Sequence, residues 1–236
     1  MTASGGTSAT KNVILVHGAW ADGSSWSKVI PLLTSKGLNV VAVQIHLASL
    51  ADDVATTKRA IALQDGPVVL VGHSYGGAVI TEAGNDPKVT GLVYVAAFAP
   101  GDGESVNSIS KPYPPAPLGS ELRPDPQGYL WISAKGFAED FGQDLSAGEK
   151  VIFRATQGPA NAGAFAGTIT KAAWKTKPSW FVIAANDRAI PPELEKAEAA
   201  RMKATSITVP SSHLAMLSHP VEVADTIEKA AMNRAH

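Results

Sequence analysis

Pro67-Val-Val-Leu-Val-Gly72-His73-Ser74-Tyr75-Gly76-Gly77-Ala-Val-Ile80 is the stretch whose reading decides the fold. Four aliphatic residues run into Gly-His-Ser-Tyr-Gly, and a helix-compatible segment, Ala78 to Ala83, follows at once. A buried strand, one sharp turn and a helix are the context in which the G-x-S-x-G pattern exposes a serine hydroxyl at a sheet edge. Such a turn requires a strained backbone at Ser74, and neighbouring chain then has room only if positions 72 and 76 are small. Both are glycine. A helix starting just after Ser74 also turns its free N–H groups toward whatever binds there, which favours developing negative charge. An ordinary glycine-rich strand-to-helix turn would share the pattern, so the serine needs partners.

Outward from this stretch, apolar runs alternate with helical patterns. Asn12–Val16, Asn39–Val43, Val89–Ala97, Ser179–Ala184 and Ser206–Val209 read as strands. Helices are expected from Ser24 to Gly37, from a Ser49-x-x-Asp52 cap through Ala62, from Pro192 to Met202 and from Pro220 to Met232. Strands without polar alternation, separated by helices, indicate a parallel sheet covered on both faces. The expected class is therefore α/β, a doubly wound, mainly parallel six-stranded sheet. Between about residues 100 and 178 the rhythm breaks into Pro, Gly and isolated aromatics. This segment is expected to be an inserted cap with a few short helices, over a core of 12–99 and 179–236. Residues 1–11 are expected to be a flexible lead-in.

Composition narrows the class. The 236 residues hold 45% apolar and 17% charged side chains, too apolar for a disordered chain and long enough for one large core. Twenty Lys and Arg balance 21 Asp and Glu, without the basic excess of a nucleic-acid binder. With no cysteine, disulfides, thiolate metal sites and cysteine nucleophiles are excluded. The six histidines form neither H-x-H nor H-E-x-x-H, so no metal or other cofactor is expected. The small, polar N-terminus does not read as an intact signal peptide, and no apolar run is long enough to span a bilayer. A cytoplasmic monomer or homodimer is expected, periplasmic or secreted if a leader has been trimmed, with no nucleic-acid or membrane partner.

A serine hydroxyl needs a base within hydrogen-bond reach. In a doubly wound sheet the ligand crevice lies beyond the carboxyl ends of the strands, so the partners should come just after strands. Asp187 lies three residues past Ala184, although alone it is equally a turn residue before Pro191-Pro192. His213 lies four past Val209, while its rival His219 sits beside Pro220, where a helix should be capped. The order Ser74, Asp187, His213 suits this architecture. The oxyanion donors are expected at the amides of Tyr75 and Ala19, with Gly18 letting the loop turn inward and His17 holding it. Gly18 and Trp20 in this loop, and Trp131 in the cap, are the candidate substrate contacts. Of the cap aromatics Trp131, Phe137, Phe141, Phe153, Phe165 and Trp174, most are expected to pack the cap on the core. Any facing inward would make an apolar pocket.

Taken together, Val-Ile-Leu-Val-His-Gly-Ala-Trp at 13–20, the Ser74 motif, Ala-Asn-Asp-Arg-Ala-Ile-Pro at 185–191 and Ser-Ser-His-Leu-Ala-Met at 211–216 resemble the α/β-hydrolase superfamily. More narrowly, the chain is similar to the small-capped branch of methyl-salicylate-type esterases, hydroxynitrile lyases and many bacterial esterases. The resemblance implies Ser74, Asp187 and His213 as a triad, Ala19 and Tyr75 as oxyanion donors, and a cap over the site. The lyases of this branch carry threonine and lysine where this chain has Gly18 and Leu214, which disfavours lyase chemistry. The expected activity is hydrolysis of small, uncharged carboxylic esters through an acyl-enzyme. The alternatives are a non-hydrolytic enzyme on the same fold, either a C–C lyase or a peroxide-using variant, and a ligand-binding receptor with residual activity.

Overall fold

In a computed structural model, residues 11–232 are described, so the expected lead-in lies almost wholly outside the described residues. The first half alternates strand and helix: β1 (Asn12–Val16), α1 (Val29–Ser35), β2 (Asn39–Val43), α2 (Leu50–Ala62), β3 (Val68–Ser74), α3 (Gly76–Ala83) and β4 (Val89–Ala97). A segment of short elements comes next: α4 (Val106–Ser110), β5 (Leu122–Pro124), β6 (Tyr129–Ile132), α5 (Ala134–Gly136), α6 (Ala147–Ala155) and β7 (Ala160–Asn161). The alternation then resumes with β8 (Ser179–Ala184), α7 (Pro192–Arg201), β9 (Thr205–Val209), α8 (Ala215–Ser218) and α9 (Pro220–Ala231).

Six of these strands form one sheet in the order β2-β1-β3-β4-β8-β9, and every pairing is parallel. β3 sits inside it, and all seven of its residues are buried, as its unbroken apolar run demands. Losing the side chain of Leu70 to alanine would cost about 2–5 kcal/mol, the range for a packed core leucine. Helix α1 packs with α9, and α2 with α3, each pair resting on the sheet. Helix starts obey local chemistry: Ser49 accepts the Asp52 amide at the head of α2, and Gly37 ends the α1 region with a φ of +80°.

Between β4 and β8 the sequence promised only short helices, and here the structure corrects it. β5, β6 and β7 form a three-stranded antiparallel sheet. Asp125-Pro-Gln-Gly128 makes the hairpin turn: the Asp125 carboxylate accepts from the amides of Gln127 and Tyr129, and Gly128 takes a φ of +83°. Asp first, Pro second and Gly fourth is a turn signature, so the hairpin had a local signal. Its strands are too short for alternation to announce them. Among the described residues, no helix is long and apolar enough to cross a membrane.

Candidate active site

Ser74 is the last residue of β3, and its φ is +54°. That left-handed conformation in a residue with a side chain is the strain expected of the elbow. The glycines are needed for close approach. A Cβ at Gly72 would lie 2.5 Å from the Gly76 carbonyl oxygen, and one at Gly76 would lie 2.6 Å from that of Val16. Gly18 lies on the other side, where a Cβ would meet the Ser74 Cβ at 2.6 Å. The elbow is thus packed backbone to backbone, with Gly18 against Ser74, and Ser74 lines the cavity with a hydroxyl that makes no hydrogen bond among the described residues.

Asp187 lies in the loop after β8. Its Oδ1 accepts from the amides of Ala189 at 2.7 Å and Ile190 at 2.8 Å, which fixes the carboxylate without consuming Oδ2. Oδ2 lies 2.5 Å from Nδ1 of His213, in the loop after β9, and both residues are buried. Because a carboxylate can only accept, Nδ1 carries the proton and Nε2 keeps its lone pair. The imidazole packs against Phe141, ring centres 5.1 Å apart, and lines the same cavity as Ser74. No hydrogen bond joins the Ser74 hydroxyl to His213 here; such contacts often tighten only when substrate is bound.

The other histidines separate cleanly. His219 pairs its Nδ1 with Glu222 at 3.3 Å in the first turn of α9, the helix-capping place that its position beside Pro220 suggests. His17 donates from Nδ1 to the Gly18 carbonyl at 2.8 Å and accepts the Ile45 amide on Nε2 at 3.1 Å. Burial lowers its pKa, so it is a neutral brace for the 17–20 loop. His73 is fully buried and donates from Nε2 to the carbonyl of His213 at 3.0 Å, tying the elbow to the histidine loop. Burial, and then the nearness of His213, hold its pKa well below the usual value. His46, three residues past β2, is exposed.

The amides of Ala19 and Tyr75 donate no hydrogen bond among the described residues, so both are free to receive an acceptor. The Tyr75 side chain turns elsewhere. Its hydroxyl donates to Asp53 Oδ2 at 3.0 Å, and Asp53 Oδ1 accepts from the amides of His46 and Leu47 at 2.9 and 3.0 Å. This buried knot fastens α2 to the residue after Ser74. Burial pushes the Asp53 carboxyl up against the pull of these donors. Sequence reading missed the pair, since nothing local relates residues 53 and 75.

The cavity holds about 570 Å³. Trp20, Phe98, Val106, Leu118, Leu130, Phe165 and Ile190 supply its apolar walls, and Asn107, Ser110 and Tyr113 its polar ones. Trp20 lines the cavity with φ +57°, stacks on Phe165 at 5.8 Å and donates its indole N–H to the Leu130 carbonyl. Two candidates need correction. Trp131 is 40% exposed and does not line the cavity; strand alternation in β6 sends Leu130 inward and Trp131 outward. Gly18 also stays off the cavity wall, because its role is contact with Ser74. Of the six cap aromatics only Phe165 lines the cavity, while Phe137 and Phe141 are packed in the core. Phe98, directly after β4, could have been found from the strand-end rule.

The model of the alpha/beta hydrolase family matches residues 13–226. A carbendazim hydrolyzing esterase from Nocardioides sp. (strain SG-4G) is 35% identical over 119 residues, covering 44% of this chain and 49% of that protein. The chain thus aligns with about half the length of this relative. Salicylic acid-binding protein 2 of Nicotiana tabacum is 25% identical over 256 residues, covering 94% and 97% of the two chains. Among solved structures, a pyrethroid hydrolase from Sphingobium faniae JZ-2 superposes with a TM-score of 0.80 at 22% identity, over 94% of this chain and 97% of that one. At that identity the last match speaks for fold alone. With the sheet order, the elbow and the family match in agreement, this chain belongs to the alpha/beta hydrolase family.

Proposed function

We propose that the protein is a serine hydrolase that cleaves small, uncharged carboxylic esters through an acyl-enzyme. One observation carries the reading: Ser74 and His213 face one mainly apolar cavity, and Nδ1 of that imidazole is 2.5 Å from Asp187. In this mechanism His213 Nε2 takes the Ser74 proton as Oγ bonds to the ester carbonyl carbon. Asp187 orients the ring and stabilises its cation. The carbonyl oxygen becomes an oxyanion and accepts from the amides of Ala19 and Tyr75. Collapse breaks the bond to the alcohol oxygen, which leaves with the proton from His213. Water, deprotonated by His213, then releases the acid and restores Ser74.

The substrate class comes from the walls. Apart from an exposed Lys111, the lining holds no Lys, Arg, Asp or Glu, so an uncharged ester loses little solvation on entry. Esterases and hydrolases among the relatives, including methylesterase 8 of Arabidopsis thaliana, support ester cleavage. The test is a panel of p-nitrophenyl and methyl esters of graded acyl size, assayed with wild type and Ser74→Ala. Loss of turnover by about 10⁴-fold or more is expected, because triad members act as a unit. Activity within tenfold of wild type would refute the reading.

A further inference from the structure

Beneath Asp187, in the first turn of α7, lies a second carboxyl group for which the mechanism above has no use. Glu195 is 0% exposed. Its Oε2 accepts the amide of Ala184 at 3.0 Å, at the end of the strand that delivers Asp187. Its Oε1 is sealed from solvent with no donor to accept from. Asp187 is anchored on the same residue, its amide donating to the Ala184 carbonyl at 3.3 Å, and its charge bears on Glu195. Two carboxylates cannot share a dry pocket as anions. One must hold a proton. Asp187 already accepts two amides and the imidazole, an arrangement that suits the anion. Glu195 has one amide on one oxygen and nothing on the other, an arrangement that suits the neutral acid.

We propose that Glu195 is a protonated positioning residue whose Oε1–H donates to Asp187, and that this hydrogen bond sets the basicity of His213. Burial first, and then the charge of Asp187, raise its pKa well above the ordinary carboxylate range. The charged groups that bear on it are Asp187 from the loop after β8, the exposed Lys196 beside it on α7 and, beyond Asp187, His213. Arg188 is engaged with Asp140 at 2.6 Å. A donor on Asp187 draws off part of its negative charge, so the imidazolium is stabilised less than by a bare carboxylate. Without that donor, His213 becomes more basic. The proposal rests on the ester-hydrolase reading, and its test separates the two.

Glutamine has the shape of a neutral glutamic acid and likewise sets an acceptor oxygen beside a donor group, its NH2 carrying one hydrogen more; it does not imitate the carboxylate. Glu195→Gln is therefore expected to keep kcat/KM within about threefold of wild type and to leave its acidic limb in place. Glu195→Met keeps the volume but removes the donor, and the acidic limb is expected to move up by roughly half a pH unit or more. An acidic limb displaced downward in Glu195→Gln would mean that a negative charge had been lost, and would overturn the proposal. So would unchanged limbs in both variants, which would leave Glu195 as packing under β8. Should Glu195→Met fail to fold, difference infrared spectra of wild type against Glu195→Gln at neutral pH decide. The protonated-carboxyl stretch must be present in wild type and absent from the variant, and its absence from wild type overturns the proposal. Ser74→Ala runs alongside: if it retains turnover the hydrolase reading fails, whereas silent Glu195 variants with a dead Ser74→Ala sink only this inference.

Discussion

Replacing Ser74 in two ways separates chemistry from backbone strain. A side-chain-bearing residue at φ +54° costs about 1–2 kcal/mol relative to the right-handed region, because its Cβ crowds the following carbonyl. Ser74→Gly removes that cost but gives the unfolded chain extra freedom worth about 0.5–1 kcal/mol. At the midpoints of the two ranges the net gain is about 0.75 kcal/mol, and for a domain of this size each kcal/mol shifts Tm by about 2–4 °C. Ser74→Gly should therefore melt about 1–4 °C above wild type while losing esterase activity. Ser74→Ala keeps the Cβ and its strain. Because the hydroxyl it removes has no hydrogen-bond partner among the described residues, its Tm should lie within about 1 °C of wild type. Scanning calorimetry of the three proteins at one pH and scan rate makes the comparison. Equal melting temperatures for the alanine and glycine variants would refute stored strain at the elbow.

The geometry sets three other outcomes. Asp187→Asn, which cannot hold the Nδ1–H tautomer of His213, should lower kcat by on the order of 10⁴ with little change in fold by circular dichroism; a loss under tenfold would contradict the role of Asp187. Tyr75→Phe strips one donor from the buried Asp53 carboxyl and should cost about 1–3 kcal/mol in urea unfolding, while a cost below about 0.5 kcal/mol would show the knot to be slack. Glu198 gives a pH effect. Its burial pushes its pKa up to about 7, with Glu104 adding to the rise and Arg201 opposing it. The folded state therefore binds the extra proton between pH 4.5 and 7, so stability is full below about 4.5 and is lost as pH rises through 7. The slope is about 1.4 kcal/mol per pH unit, some 3–4 kcal/mol over the window, and Glu198→Gln should flatten it.

The core was legible because the inner strands β1, β3, β4 and β8 are buried almost throughout and had to be mainly apolar, whereas the edge strands β2 and β9 are half-exposed. A strand buried on both faces leaves no polar position to blur the signal, and β3 shows the clearest run. The site residues were legible for a related reason: the crevice of such a sheet admits only residues placed just past a strand's carboxyl end, which singled out Ser74, Asp187 and His213. The features that escaped were set by contacts far apart in the chain. The Tyr75–Asp53 knot and the Glu195 carboxyl under Asp187 depend on where helices land, and the local sequence does not encode that. The β5-β6-β7 sheet escaped because its strands span two to four residues, below the length at which alternation can be seen. Trp131 was misplaced for the same reason. With the strand unrecognised, nothing said that neighbours 130 and 131 face opposite ways.

The central claim is that the strained hydroxyl at position 74 is the attacking group. Labelling with a fluorophosphonate probe, and then peptide mass mapping, tests it most directly. One phosphonyl group per chain should appear on the peptide carrying Ser74, in step with loss of ester turnover, and Ser74→Ala should take up none. A probe that stops turnover while modifying another residue, or a Ser74→Ala variant labelled as fully as wild type, would contradict it.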